Sequence, residues 1–356
     1  MSKNLVIQSH KGPYSVDFTD GMFASLDKLL DGELHFIVDA NIKRLYGEVL
    51  QPVLEHPNSI IIEASEENKS IERIIPVFEQ LVANNVRRGH TLVAIGGGII
   101  QDITCFIAST LLRGLTWKFV PTTLLSQADS CIGSKSSINL GASKNILGTF
   151  NPAKEVFVCT AFLDTLEHKE ILSGVGEILK VHAIDGASSF DQLAASYDQL
   201  FSERPVLLDY IYRALLIKKR FIEADEFDLG VRNIFNYGHS FGHAIESATR
   251  FAIPHGVAVS MGMDIANHIS VLRGLVPESH YQRMHGVMRK NYADYSDTPI
   301  PAEAMYLALK KDKKNLTDKV VVILPVGENA AIERVAIVPD TVFQEQFDTA
   351  LKAVQT

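Results

Sequence analysis

Three histidines in one stretch, RNIFNYGHSFGHAIESATRFAIPHG (232–256), open the chemical reading of this chain: His239, His243 and His255. An acidic residue, Glu177, lies upstream in SGVGEILK. Two imidazoles and a carboxylate hold a divalent ion while leaving coordination positions open to a substrate. His239 and His243 are four apart, so a helix would place both on one face; His255 directly precedes Gly256, and Glu177 sits in what reads as a glycine-flanked turn. The spacing leaves open which two histidines coordinate, and any one of the three also suits a helix cap or a core position. His168, His182 and His268 read as surface or packing residues.

A second chemistry-bearing feature is the run AIGGGIIQD (94–102). It follows a β-type run and opens a helical one, so its N–H groups and the helix dipole suit a dinucleotide pyrophosphate. Gln101 stands where the third glycine of G-x-G-x-x-G would be, and a tight structural turn is the plain alternative. Asp39 and Asn41, at the end of FIVDANI, are placed to accept hydrogen bonds from an adenosine ribose; Asp39 equally suits a helix cap. The stretch SQADSCIGSKSSINLGASKNILGTF (126–150) reads as a loop carrying Asp129, Lys135, Lys144 and Asn145 among small residues, where a ligand can approach closely. Arg113, Lys180, Lys218, Arg232 and the KKDKK run at 310–314 add cations suited to a polyanionic small molecule, although each alone also reads as a solvated side chain.

The elements needed to position these groups follow from periodicity. ELHFIVDA, SIIIEA, TLVAIGGG, TWKFVPTT and EVFVCT are short β-rich runs, and SIERIIPVFEQLVANN (70–85) and IIQDITCFIASTLLRG (99–114) are helical, which predicts a parallel, doubly wound sheet over residues 1–165. Residues 166–356 carry apolar positions at helical spacing, interrupted by one β-like run, KVVVILPVG (319–327), before an amphipathic end. The fold class expected is an α/β Rossmann-like N-terminal domain plus a mostly α-helical C-terminal domain, with the cleft between two such domains as the default place for a site.

The totals agree with a soluble globular protein of about two domains: 356 residues, 46% hydrophobic and 21% charged. A net charge of −8 gives no reason to expect nucleic acid or an anionic membrane as partner. Cys105, Cys131 and Cys159, odd in number and without a C-x-x-C pair, read as buried reduced thiols. With no signal-peptide-like start and no run near a membrane span, a cytoplasmic location is expected.

VPTTLLSQADSCIGSK, the SKN at 143–145, SGVGEILK, ADEFDLGVRNIFNYGHSFGHAIE and the following HG together resemble 3-dehydroquinate synthase and the wider sugar phosphate cyclases, from about residue 39 to 325. The resemblance implies bound NAD used catalytically, a divalent metal (Zn or Co) and a homodimer. It implies Glu177, His239 and His255 as metal ligands, with His243 facing the substrate phosphate. NAD would be held by Asp39, Asn41, Glu66, Lys69, Gly97, Gly98, Ile99, Asp102, Thr122, Thr123, Leu125, Asp129, Ser130, Lys144, Thr165, Leu166 and Glu170. Arg113, Lys135, Asn145, Lys218, Arg232, Asn236 and Lys313 or Lys314 would bind phosphate, hydroxyls and carboxylate, and Lys180 would line the site. The implied reaction removes a hydride, eliminates phosphate, returns the hydride and closes a carbocycle by an aldol step.

Four positions depart from the family's usual pattern: Gln101 for a glycine, Ser134 for a glycine, NLGASKN for N-H-P-L-G-K-N, and Glu167 for a proline. The loop departure is similar to cyclases acting on sedoheptulose 7-phosphate, whereas Lys218, Arg232, Asn236 and His243 match the dehydroquinate enzyme. An arginine with no carboxylate to neutralise would carry an electrostatic cost for no gain, so 3-dehydroquinate synthase activity is the reading favoured. A metal-dependent polyol dehydrogenase of similar architecture has no need of this cation set, and a non-catalytic NAD-binding relative has no need of the intact triad.

Overall fold

A computed structural model describes residues 3–19, 29–141, 143–311, 315 and 318–355. The chain divides into two compact units, residues 1–166 with 218–227, and residues 167–217 with 228–356.

The first unit is a seven-stranded sheet. Its strands are β1 (Asn4–Ile7), β2 (Tyr14–Phe18), β3 (Leu34–Asp39), β4 (Ser59–Ile62), β5 (Thr91–Gly96), β6 (Thr116–Pro121) and, after the hairpin strands β7 (Lys135–Leu140) and β8 (Ser143–Phe150), β9 (Glu155–Val158). The order is β1-β2-β9-β6-β5-β3-β4, parallel throughout except for the β1–β2 hairpin. Every residue of β3 is buried, and β5 is buried from Leu92 to Gly96, as expected where helices cover both faces. Phe36, Val38, Val93 and Ile95 pack with Ile42 of α1 (Ala40–Tyr46) and Val53 of α2 (Gln51–Leu54). Helices α3 (Ile71–Ala83) and α4 (Gly98–Thr110) complete the crossovers, and α4 packs against β5 and β6.

The strand order places the site. From β3 the chain first goes outward to β4, then crosses β3 to reach β5. The carboxyl ends of β3 and β5 therefore flank the point where strand order reverses, which is where open α/β sheets bind ligands. Asp39 ends β3 and the glycine turn ends β5.

The second unit is largely helical. It holds α5 (His168–Asp185), α6 (Ala187–Ala195), α7 (Gln199–Ser202), α8 (Arg204–Ala224) as far as Ile217, α9 (His239–Ala248), α10 (His255–Leu272), α11 (Glu278–Tyr292), α12 (Ala302–Lys310) and α13 (Thr341–Val354). An antiparallel hairpin, β10 (Val320–Val326) and β11 (Ala331–Ile337), lies before α13. Helix α10 is the axis of the unit: it is buried almost continuously from Gly256 to Ser270 and packs on α5, α9, α11 and α13. No helix among the described residues is long and apolar enough to cross a membrane.

The stretch 126–150 is a π-helical turn, Ser126–Ser130, followed by the β7–β8 hairpin, where a loop is expected from sequence. Glu177 lies in the middle of the 18-residue helix α5, where a turn is expected. Both corrections have one cause: small and glycine-rich sequence imitates loop chemistry, while tertiary packing holds the backbone regular.

Candidate functional site

The acid–imidazole cluster is built by three helices of the second unit. Helix α5 supplies Glu177, α9 supplies His239 and His243, and the first residue of α10 supplies His255. Two glycines let these helices touch. A Cβ on Gly176 would lie 2.0 Å from the Gly256 carbonyl oxygen, and a Cβ on Gly256 would lie 1.8 Å from that of Ser173. Only backbone-to-backbone contact brings the adjacent Glu177 and His255 together.

Ligand atoms of His239, His243 and His255 all lie within 4.8 Å of one another. Glu177 Oε1 lies 3.6 Å from His239 Nε2 and 3.4 Å from His255 Nε2. That oxygen is fully buried and has no hydrogen-bond partner, although the group is a full carboxylate. Metal bonds of about 2.0–2.2 Å at tetrahedral angles put neighbouring ligand atoms roughly 3.3–3.6 Å apart, so the spacing and the orphaned oxygen both fit a bound divalent ion.

The surroundings orient each of these side chains. Lys180, 2% exposed, hydrogen-bonds the other Glu177 oxygen, Oε2, and its ammonium lies 5.7 Å from the centre of the Phe235 ring. Glu246 Oε2 lies 3.2 Å from His255 Nδ1, which aims Nε2 at Glu177. His239 Nδ1 lies 3.3 Å from the Tyr237 carbonyl oxygen. Burial pulls the His255 imidazole pKa down, yet the Glu177 and Glu246 carboxylates overcome it and raise it to about 10. Burial likewise works against the Glu177 charge, and Lys180 and His255 hold its carboxyl far below the ordinary range. The cluster therefore demands positive charge, which a divalent ion supplies in place of a proton.

The glycine turn in the first unit has its own geometry. Gly97 caps α4, and Gly98 and Ile99 begin it. A Cβ at Gly97 would come within 2.9 Å of the Thr123 methyl, and Thr122 N–H donates to the Gly96 carbonyl at 3.0 Å. Leu125 leads into the π turn that carries Asp129 and Ser130. Asp39 does cap α1, accepting from Asn41 N–H at 2.9 Å, and burial raises its pKa. Lys69 is buried and bonds Asp102 at 3.1 Å and Asn145 at 2.9 Å. Burial raises the Asp102 pKa, with Lys69 opposing. Glu66 accepts from Asn139, whose Oδ1 in turn takes the Asn145 N–H. Lys218 bonds both the side chain and the carbonyl of Asp129 at 2.6 Å.

Arg113 and Asn145 have left-handed backbones, with φ of 67° and 51°, a conformation over-represented at ligand sites. Arg113, Lys135 and Lys144 are exposed, the last two on β7 and β8. Thr165 bonds the Tyr46 hydroxyl and precedes Leu166. Glu170, in the first turn of α5, has its pKa raised by burial. Arg232 and Asn236 lie on the short 3-10 segment Val231–Asn236, which packs on α5. Lys313 and Lys314 lie outside the described residues.

Sequence reasoning missed Glu246, Asn139 and the Tyr237 carbonyl. Only Glu246 carried a signal: with His239 and His243 it forms an i, i+4, i+7 series on one helix face.

A doubly wound sheet with a glycine turn at its switch point, joined in one chain to a helical unit with a carboxylate–imidazole cluster suited to a divalent ion, is the architecture of a dinucleotide- and metal-dependent enzyme. Comparison with known proteins narrows this. The 3-dehydroquinate synthase N-terminal profile matches residues 59–173 and the 3-dehydroquinate synthase C-terminal profile matches 174–315. The chain is 32% identical over 344 residues to a 3-dehydroquinate synthase of Alkaliphilus metalliredigens, covering 95% of this chain and 96% of that one. It is 33% identical to one from Chlamydia abortus, covering 90% and 89%. Among solved structures, 2-epi-5-epi-valiolone synthase from Streptomyces hygroscopicus subsp. jinggangensis 5008, with NAD+ and Zn2+ bound, superposes with a TM-score of 0.81 at 27% identity, covering 96% of each chain. The chain belongs to the 3-dehydroquinate synthase family.

Proposed function

We propose that this protein is a 3-dehydroquinate synthase, converting 3-deoxy-arabino-heptulosonate 7-phosphate to 3-dehydroquinate and phosphate, with NAD and a divalent metal (zinc or cobalt) as cofactors. The observation that carries the cofactor reading is the orphaned Glu177 Oε1 between two imidazole nitrogens; the curated relatives supply the substrate. When bound, the metal would orient and acidify substrate hydroxyls and the nicotinamide would serve as a reversible hydride acceptor.

Glu177, His239 and His255 hold the metal. Lys180 neutralises the Glu177 oxygen turned away from it, and Glu246 fixes the His255 tautomer. The glycine turn, Asp39, Asn41, Glu66, Lys69, Asp102, the Thr122–Thr123 pair, Leu125, Asp129, Ser130, Lys144, Thr165, Leu166 and Glu170 bind NAD. Arg113, Lys135, Asn145, Lys218, Arg232, Asn236, His243 and the lysines at 313 and 314 bind phosphate, hydroxyls and carboxylate. Their main contribution is orientation and neutralisation of a polyanion. Residues 1–165 as the NAD domain, residues 166–356 as the metal and substrate domain, a homodimer and a cytoplasmic setting complete the proposal.

The β7–β8 turn, which replaces N-H-P-L-G-K-N, favours a second reading, a cyclase acting on sedoheptulose 7-phosphate. Inorganic phosphate release from the zinc-loaded protein with NAD separates them. Release with the heptulosonate phosphate alone supports the proposal, and release with sedoheptulose 7-phosphate alone replaces it with the second. Net NADH from a simple polyol would reassign the protein as a dehydrogenase.

A further inference from the structure

Gln101 lies in the first turns of α4, where a dinucleotide fingerprint would place its third glycine. Its side chain is only 6% exposed, and both ends of the amide engage one residue 29 positions later. Nε2 donates to the Ser130 carbonyl at 2.6 Å, and Oε1 accepts from the Ser130 hydroxyl at 2.6 Å. The polarity is fixed by elimination. A backbone carbonyl only accepts, so the amide NH2 must face it. Oε1 then faces the hydroxyl, whose single proton must point at Oε1.

This pincer joins two walls of the glycine-turn region. Nearest the sheet, Thr122 N–H donates to the Gly96 carbonyl. One step further out, Gly97 packs against the Thr123 methyl. Beyond that, Gln101 grips Ser130, and Lys218 grips the preceding Asp129 at both its carboxylate and its carbonyl. The Asp129–Ser130 dipeptide is thus held from two sides.

We propose that Gln101 is a positioning residue that pre-organises the Asp129–Ser130 wall for the dinucleotide and commits the Ser130 hydroxyl to accept, not donate, a hydrogen bond from it. The partner for that oxygen is a ligand donor, a ribose hydroxyl or a carboxamide N–H, and not a pyrophosphate oxygen. The inference rests on the NAD reading above. Pre-organisation appears in affinity because the unbound wall no longer has to be ordered on binding.

The test is a double-mutant cycle on NAD affinity, measured by calorimetry on the zinc-loaded protein, with Gln101→Ala, Ser130→Ala and the pair. Gln101→Ala should weaken NAD roughly tenfold, about 1.4 kcal/mol, with kcat at saturating NAD close to the parent. The pair should lose clearly less than the product of the single effects. Gln101→Glu keeps the size and the acceptor for Ser130 but sets an oxygen against its carbonyl. It should weaken NAD comparably, and it serves if the alanine variant does not fold. Unchanged affinity in Gln101→Ala or Gln101→Glu, or strictly multiplicative losses, would overturn the pincer alone. A parent protein that binds no NAD would overturn the cofactor reading, and the pincer with it.

Discussion

Replacing Gly256 by alanine tests whether helix-to-helix contact builds the metal site. The added Cβ would sit 1.8 Å from the Ser173 carbonyl oxygen and 2.7 Å from its carbon, and both belong to backbone inside a helix. No side chain can swing aside, so α5 and α10 must part by about 1.6 Å to restore ordinary contact at 3.4 Å. The same movement loosens the 2.9 Å bond from Gly256 N–H to the Ser173 hydroxyl. Glu177 and His255 ride on these helices with ligand atoms 3.4 Å apart. Metal sites tolerate ligand displacements of about 0.2 Å, several times less than the movement required. Zinc affinity should fall roughly 10–100-fold. Helix propensity favours alanine by about 1 kcal/mol, but overpacking costs about 1–3 kcal/mol, so the metal-free protein should lose stability as well. The control is Gly286→Ala in α11, where a new Cβ meets nothing within 4 Å. It should gain up to about 1 kcal/mol and leave zinc unchanged. Chelator competition reads the affinity and thermal unfolding the stability. A Gly256→Ala protein with parental zinc affinity would refute the reasoning.

His255→Ala should lose bound metal and activity while keeping NAD binding, read as metal content and NAD titration on one preparation; equal metal in mutant and parent would remove His255 from the ligand set. His285 Nδ1 bonds the fully buried Asp264 at 2.7 Å, and that bond raises the imidazole pKa above 6.5 despite partial burial. A folded pKa above the unfolded one gives stabilisation fully present below about pH 6.5 and lost as pH rises through the folded value. The thermal-unfolding gap between parent and His285→Gln should therefore be wider at pH 6 than at pH 9, and an equal gap at both would show that the pair is not charged.

The sheet was legible where strands are buried on both faces. LHFIVD and TLVAIG are near-continuous apolar runs, and parallel central strands must read that way. β8, SKNILGTF, has no buried residue, and β11, AIERVAI, has an adjacent charged pair at its centre and buries only Ile337, so neither shows the period-two signal of a half-buried strand. The β1–β2 hairpin, which extends one edge of the sheet, was missed entirely. Glu177 failed in the opposite direction: Gly174 and Gly176 look like punctuation, yet Gly176 lies in the helix because a second helix touches its backbone there.

The site divides along the same line. That Glu177 and the three histidines come together was legible, because metal chemistry favours those residue types, and a short local spacing such as His239 to His243 reports a shared helix face. What holds those side chains in place was not. Lys180 against Glu177 can be guessed from one helical turn, but Glu246 meets His255 only after the chain reverses between α9 and α10. Gln101 meets Ser130 only because β5 and β6 are neighbours in the sheet. Each such pair is polar and buried or half-buried, so each residue has a strong reason to find a partner and none to advertise it locally. A single sequence states that such a residue needs satisfying; only the fold says by what, and in this chain that is where Gln101 changes from a departure from a glycine motif into a structural link between two walls of the glycine-turn region.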